Sequence, residues 1–288
     1  MNAGGKTLAR WSGYMKDPFL ARSDELIKDP TTIEEKMARF ASKPTEADAA
    51  TIARCQESMG KYREAIDHYG KAASLSGGKN GYNTEIFESS FSAWQDKTFT
   101  FDDLSASAKA YFQAEKDPGE LLTPARMMAI AANESENPQA AAPFIKQAIE
   151  ATEGSALEDV VKGRKRLLPD YAMIVLKDEK KAVAYKKESL PEGWMEQVDQ
   201  LNNFAWWCFE NKVNLKEAQE LAEHGVEISP PGADKAMILD TLAEICNARG
   251  DCSEAVVIIQ RAIQEDPGKE SYKKQLKRFQ DLLAKGGK

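Results

Sequence analysis

Apolar residues recur along most of this chain three to four positions apart, in runs too long and too regular for strands, which predicts a succession of helices. The clearest stretch is 236–267. Leu239, Leu242, Ala243 and Cys246 mark one helix face, Gly250 and Asp251 make a turn, and Ala255, Ile259 and Ala262 mark a second face that ends at Pro267. Asp251 with Glu254 is a variant of the capping box and opens the second helix. The preceding stretch gives the same pattern. Asn202, Ala205, Trp206 and Phe209 lie on a first helix, Asn214 with Glu217 forms a cap, Ala218, Ala222 and Gly225 fill small positions, and Pro230 closes the unit. Pro231, Gly232 and Ala233 stretch the connection, so the register slips there by about three residues. A third copy lies far upstream. Ile52, Ala53 and Gln56 precede Gly60, Tyr62, Ala65, Tyr69 and Ala72 follow it, and Gly77-Gly78 stands where a proline is usual.

Helix, turn, helix and proline within about 34 residues, with small side chains where the paired helices meet, resembles a tetratricopeptide repeat. The resemblance implies an all-helical solenoid of hairpins, with one repeat at 45–79 and two at 199–268. Over 80–198 the helical periodicity persists while the signature fades. Phe87, Phe91 and Trp94 stripe one helix, Phe144, Ile145, Ala148 and Ile149 a second, and Tyr171, Ile174, Val175 and Leu176 a third. Thr123-Pro124 and Asn137-Pro138 each set a capping residue before a proline at the first helical position. This region reads as degenerate helical hairpins. The last segment, 269–288, carries Tyr272, Leu276, Phe279 and Leu283 on one face and Lys and Arg on the other, which suits a helix capping the open end of the solenoid.

The first 28 residues follow another pattern. Ala3-Gly4-Gly5-Lys6 reads as a turn, Thr7 to Trp11 as a strand, Ser12-Gly13-Tyr14 as a break, and Asp17-Pro18 as the start of a helix through Phe19, Leu20, Leu26 and Ile27. With Arg10 to Gly13 as its Arg-x-x-Gly stretch, this order resembles the closing hairpin and last helix of a thioredoxin fold, some members of which carry tetratricopeptide repeats behind that helix. Residues 29–44 then read as a linking helix, opened by Asp29-Pro30-Thr31-Thr32 with Glu34 and Glu35. The C-x-x-C of that family is missing from this chain, and a two-stranded hairpin alone is marginal in water. The expectation is therefore a fold remnant. Either Met1 is an internal start of a longer protein, which an orphan edge strand favours, or the hairpin rests on the solenoid.

Composition narrows the function. Alanine is abundant and valine scarce, as helices prefer. The net charge of −7 argues against a nucleic-acid binder, which needs a basic footprint. No apolar run approaches the ~20 residues of a membrane span, and residues 1–9 lack the apolar core of a signal peptide. The chain reads as cytoplasmic if it starts at Met1, and as periplasmic or exported if it is a C-terminal fragment. Cys55, Cys208, Cys246 and Cys252 form no C-x-x-C pair and read as buried small residues, and His68 and His224 have no plausible ligand near them. Gly77-Gly78-Lys79 lacks the spacing of a phosphate loop. No catalytic, cofactor or metal site is expected.

Binding is the better expectation. If the first helix of each pair lines a concave groove, its wall offers Asn203, Trp207 and Glu210, then Asp240, Glu244 and Asn247, with Arg54 and Glu57 on the upstream copy. Amides can grip the backbone of an extended peptide and an indole supplies apolar area. The carboxylates favour a neutral or basic peptide or protein. Tetratricopeptide proteins that clamp a chaperone C-terminus carry Lys and Arg at these places, so that partner is disfavoured. The competing reading of Trp206-Trp207 is that the pair packs a junction between helices. The chain thus reads as a non-catalytic interaction scaffold. The alternatives are a substrate-recruiting arm of a thiol-disulfide oxidoreductase whose C-x-x-C half is absent, and a scaffold that self-associates.

Overall fold

The computed structural model describes residues 5–10, 16–79 and 81–286, and the regular structure among them is all helical, with no strand. They fall into two compact units, Met1–Glu153 and Gly154–Lys288. The first contains α1 (Lys16–Lys28), α2 (Ile33–Ser42), α3 (Glu46–Glu57), α4 (Tyr62–Leu75), α5 (Asn83–Gln95), α6 (Phe101–Ala114), α7 (Leu122–Glu134) and α8 (Ala142–Ala151). The second contains α9 (Glu158–Asp170), α10 (Glu179–Glu188), α11 (Val198–Asn211), α12 (Leu215–Ile228), α13 (Ala233–Ala248), α14 (Cys252–Glu265) and α15 (Glu270–Ala284).

Short connections force sequence neighbours to pack antiparallel. The most extensive helix contacts in the molecule join α13 to α14, α3 to α4 and α11 to α12. These are the three hairpins whose small positions the sequence marks. Ala65 and Ala72, Ala218 and Ala222, and Ala243, Ala255 and Ala262 are all fully buried there. Gly60 and Gly250 take the positive φ that closes the first and third turns. In the first unit the hairpin core collects Ala49, Ala53, Ala65, Tyr69, Ala72 and Tyr82. In the second, one continuous core runs from Leu201 and Phe204 on α11 to Tyr272 and Phe279 on α15.

A polar lattice holds the first unit between α1 and α3. The hydroxyl of Thr32 accepts from the Glu35 amide and the Glu35 carboxylate accepts from the Thr32 amide at 2.7 Å, a complete capping box on α2. Lys36 is only 4% exposed, yet its ammonium donates to the carbonyls of Asp29 and Thr31 and to the Thr31 hydroxyl, 3.1 Å from Asp29 Oδ2. Arg39 spans two acids, donating to Asp48 through Nε and Nη2 (2.8 and 2.5 Å) and to Asp29 at 2.6 Å. The Arg39 guanidinium holds the Asp29 carboxyl far below the usual carboxylate range. Glu57 accepts from Tyr69 Oη at 3.0 Å and from the buried Ser89 hydroxyl at 2.8 Å, joining α3, α4 and α5.

Several sequence expectations need correction. The expected strand at Thr7 to Trp11 does not form within the described part. Residues 5–10 have no regular structure, and the Thr7 carbonyl accepts from the Ile33 amide at 2.9 Å, so it serves the start of α2 rather than a sheet. Ala3, Gly4 and the stretch Trp11 to Tyr14 lie outside the described residues, so the thioredoxin-like remnant has no support. The helix expected after it exists as α1, but Leu20 and Ile27 on its apolar face are exposed. Asn214 makes no N-cap bond. It sits in the left-handed region (φ 51°), and its side-chain amide donates to Glu217 instead. Thr123-Pro124 lies inside α7, which a 3-10 turn at Pro118–Leu121 opens, and Asn137-Pro138 opens another 3-10 turn rather than α8 itself. Pro169, which has no amide hydrogen to donate, precedes a change to π-helical winding over Tyr171–Leu176. On α15, Leu283 is exposed, while Tyr272 and Phe279 are buried.

Candidate functional site

The side chains expected to line a groove separate into three groups. The first lies on α11. Asn203, Trp207 and Glu210 are four and three residues apart, so they share one helix face. Asn203 and Glu210 are exposed. Trp207 is half-buried, packed against the core of its unit, and the Lys186 ammonium stands 5.9 Å from its ring centre. Asn211 donates to the Trp207 carbonyl at 2.9 Å and tightens the end of the helix. Trp206 makes a ring pair with Phe209 at 5.1 Å.

The second group lies on α13 and meets α15. Glu244 is 5% exposed, and its Oε1 accepts from Gln275 at 2.6 Å and from Arg278. Asp240, one turn earlier, has its carboxyl pushed up to about 6, first by burial and then by the neighbouring Glu244 charge, with Gln275, Arg278 and Lys269 pulling the other way. Asp240 Oδ1, Glu244 Oε2 and Gln275 Oε1 are buried without a hydrogen-bond partner. This pair of carboxylates is committed to docking the terminal helix. Asn247 is also engaged, its Oδ1 accepting from Cys252 Sγ at 3.2 Å.

The third group lies in the first unit. Glu57 is occupied by Tyr69 and Ser89. Arg54, 22% exposed, borders a cavity of about 390 Å3 together with residues of α1 and the chain before it, and its guanidinium is 3.9 Å from Glu25. The sequence gives no signal for this cavity, because its walls come from stretches up to about seventy residues apart that share no motif.

All four cysteines are buried and free. Burial pushes the Cys208 thiol up to about 12 and the Cys246 thiol to about 11, so both are held in the protonated, unreactive form. Among the described residues no helix is long and apolar enough to cross a membrane, and no group of three metal-ligating side chains occurs.

No protein-family model matches the chain, and no curated protein sequence does. Two solved structures are similar to the chain. One is a tetratricopeptide repeat protein from Parabacteroides merdae, 16% identical with a TM-score of 0.49, covering 92% of this chain and 98% of that one. The other is BtubC from P. vanneervenii, 16% identical with a TM-score of 0.42, covering 82% of this chain and 91% of that one. At this identity and TM-score neither assigns a function here.

Proposed function

We propose that this chain is a tetratricopeptide-like helical-hairpin scaffold that binds a protein or peptide partner and works by binding, without chemistry of its own. The observation that carries the reading is Trp207. Its indole is braced from beneath by the core yet partly exposed, on one face with the exposed Asn203 and Glu210. A rigid aromatic anchor beside an amide and a carboxylate suits an extended neutral or basic peptide, since the ring supplies area at low entropic cost and the amide bonds to the peptide backbone. The reading narrows the site to α11, because α15 already occupies Glu244 of α13.

The test is a peptide array probed with the full chain and with Trp207→Ala. Peptides retained by the parent should lose about tenfold in affinity to the variant, as truncated aromatic anchors do. Glu210→Lys should shift the preference from basic toward acidic peptides. Retention by Trp207→Ala equal to the parent, with unchanged circular dichroism, would overturn the assignment of α11.

A further inference from the structure

Positive charge gathers on α15, a different helix from the one that carries Trp207. Residues 269–286 hold six Lys and Arg against two Asp and Glu, in a chain of net charge −7. Tyr272 and Phe279 fix one face of the helix in the core of the second unit. Lys274, Lys277, Asp281 and Lys285, three or four residues apart, take the opposite face, and all four are exposed. With Arg278 and Leu282 they border one open depression of about 310 Å3. Two cations nearby are already engaged. Lys273 pairs with Glu270 at 2.6 Å, and Arg278 donates to the buried Glu244. The ammonium groups of Lys274, Lys277 and Lys285 have no hydrogen bond or ion pair among the described residues, and Lys274 adds only a longer-range attraction to Glu270. The three lie along the helix rather than around a point, and span about 16 Å at about 1.5 Å per residue. Such a row cannot close on one small anion, but it matches a plane of negative charge. Lysine suits that plane, because its ammonium is a hydrated point charge on a flexible stem, whereas a guanidinium fork selects a positioned carboxylate or phosphate. The one arginine bordering the depression turns its fork to Glu244. A helix with its side chains is about 10–12 Å thick, more than a Debye length at physiological salt, so the acidic remainder of the chain does not cancel the attraction at this face.

We propose that the row of Lys274, Lys277 and Lys285 docks this face of α15 on an anionic membrane surface, held at the lipid headgroups by charge and without insertion of the helix, whose apolar face is kept by the core. The test is co-sedimentation of the full chain with vesicles at low ionic strength. One set is phosphatidylcholine alone, and the other contains about a third phosphatidylserine. The chain should pellet with the second set, stay in solution with the first, and be released by added salt. Lys274→Gln, Lys277→Gln and Lys285→Gln should each weaken the partition about fivefold, the contribution of one basic side chain at such a surface. All three side chains are exposed, so the variants should keep the circular dichroism of the parent. Asp281→Asn removes the one carboxylate on this face and should strengthen the partition. A fluorescent poly-glutamate peptide, followed by anisotropy, offers a flexible protein-like anion for comparison. Three outcomes would overturn the proposal: no pelleting with the phosphatidylserine vesicles, equal pelleting with both sets, or undiminished pelleting of the folded triple lysine variant. Binding of poly-glutamate without pelleting would assign the row to an acidic protein segment instead.

Discussion

At Gly225 on α12 a single methyl group decides how closely two helices approach. A Cβ there would stand 2.1 Å from Ile238 Cδ1 on α13 and 3.5 Å from Leu201 Cβ on α11. Ile238 is fully buried, so its terminal methyl has little room to swing away. Gly225→Ala gains up to about 1 kcal/mol of helix propensity but overpacks this contact, which costs about 1–3 kcal/mol. We expect a net loss of stability in urea denaturation. Ile238→Val removes the very atom that clashes. Alone it should cost about 1 kcal/mol, and in the Gly225→Ala background it should cost nothing or restore stability. Additive effects of the two changes would disprove the contact. Arg39 gives the polar counterpart. Its fork is the only partner among the described residues for the Asp48 carboxylate, which is 2% exposed. Arg39→Ala should destabilise the first unit by about 3 kcal/mol, and adding Asp48→Ala should recover part of that loss, because the larger cost is the stranded charge.

The helices themselves were legible wherever local chemistry decides them, and the exceptions have physical reasons. Asp251 with Glu254 reads as a cap and is one, the Asp251 carboxylate accepting from the Glu254 amide at 3.0 Å, because both partners lie within one turn. Asn214 with Glu217 has the same spacing and is not, because Asn214 takes the left-handed backbone (φ 51°) rather than the extended one an N-cap needs, and its amide donates to the Glu217 side chain, which also accepts from Lys187. The small faces of α3–α4, α11–α12 and α13–α14 were readable from spacing alone. Of the residues expected to line a groove, Asn203, Trp207 and Glu210 share one face of α11, as their spacing on any helix requires. Spacing could not reveal that α15 folds back onto Glu244, since nothing local links positions 244, 275 and 278. That docking carries a pH signature. The folded Asp240 carboxyl titrates near 6 against an ordinary value of 3.8, so the folded state holds the extra proton between these values. On account of this group the second unit is most stable below about pH 4, loses stability as pH rises through about 6, and is level above that. Asp240→Asn should therefore raise the unfolding free energy measured in urea at pH 7.5, by an amount on the order of 1–2 kcal/mol, and leave it nearly unchanged at pH 4. An equal effect at both values would show that Asp240 is not held protonated by burial beside Glu244.

Across the whole chain the helical period hides the place where one compact unit ends. The break at Glu153–Gly154 falls inside the 80–198 stretch, which the sequence reads as continuous hairpins. Glu153, Gly154, Ala156 and Leu157 belong to an exposed connection between α8 and α9, and Leu157 is 70% exposed. A loop of this length looks like any other turn between hairpins, so spacing gives no reason to prefer it. Its energetics differ because each side closes its own core. Ile145, Ala148 and Ile149 are buried in the unit before it and Leu167 in the unit after it. Opening a protease site requires a segment to unfold locally, and that costs least where few buried contacts are lost. Brief digestion with a protease specific for glutamate should therefore cut first after Glu153, and with chymotrypsin after Leu157. Both should leave two fragments, each retaining helical circular dichroism. First cuts within α3–α4 or α13–α14, or fragments that lose their helicity on separation, would mean that the two units are one cooperative body rather than two self-sufficient ones.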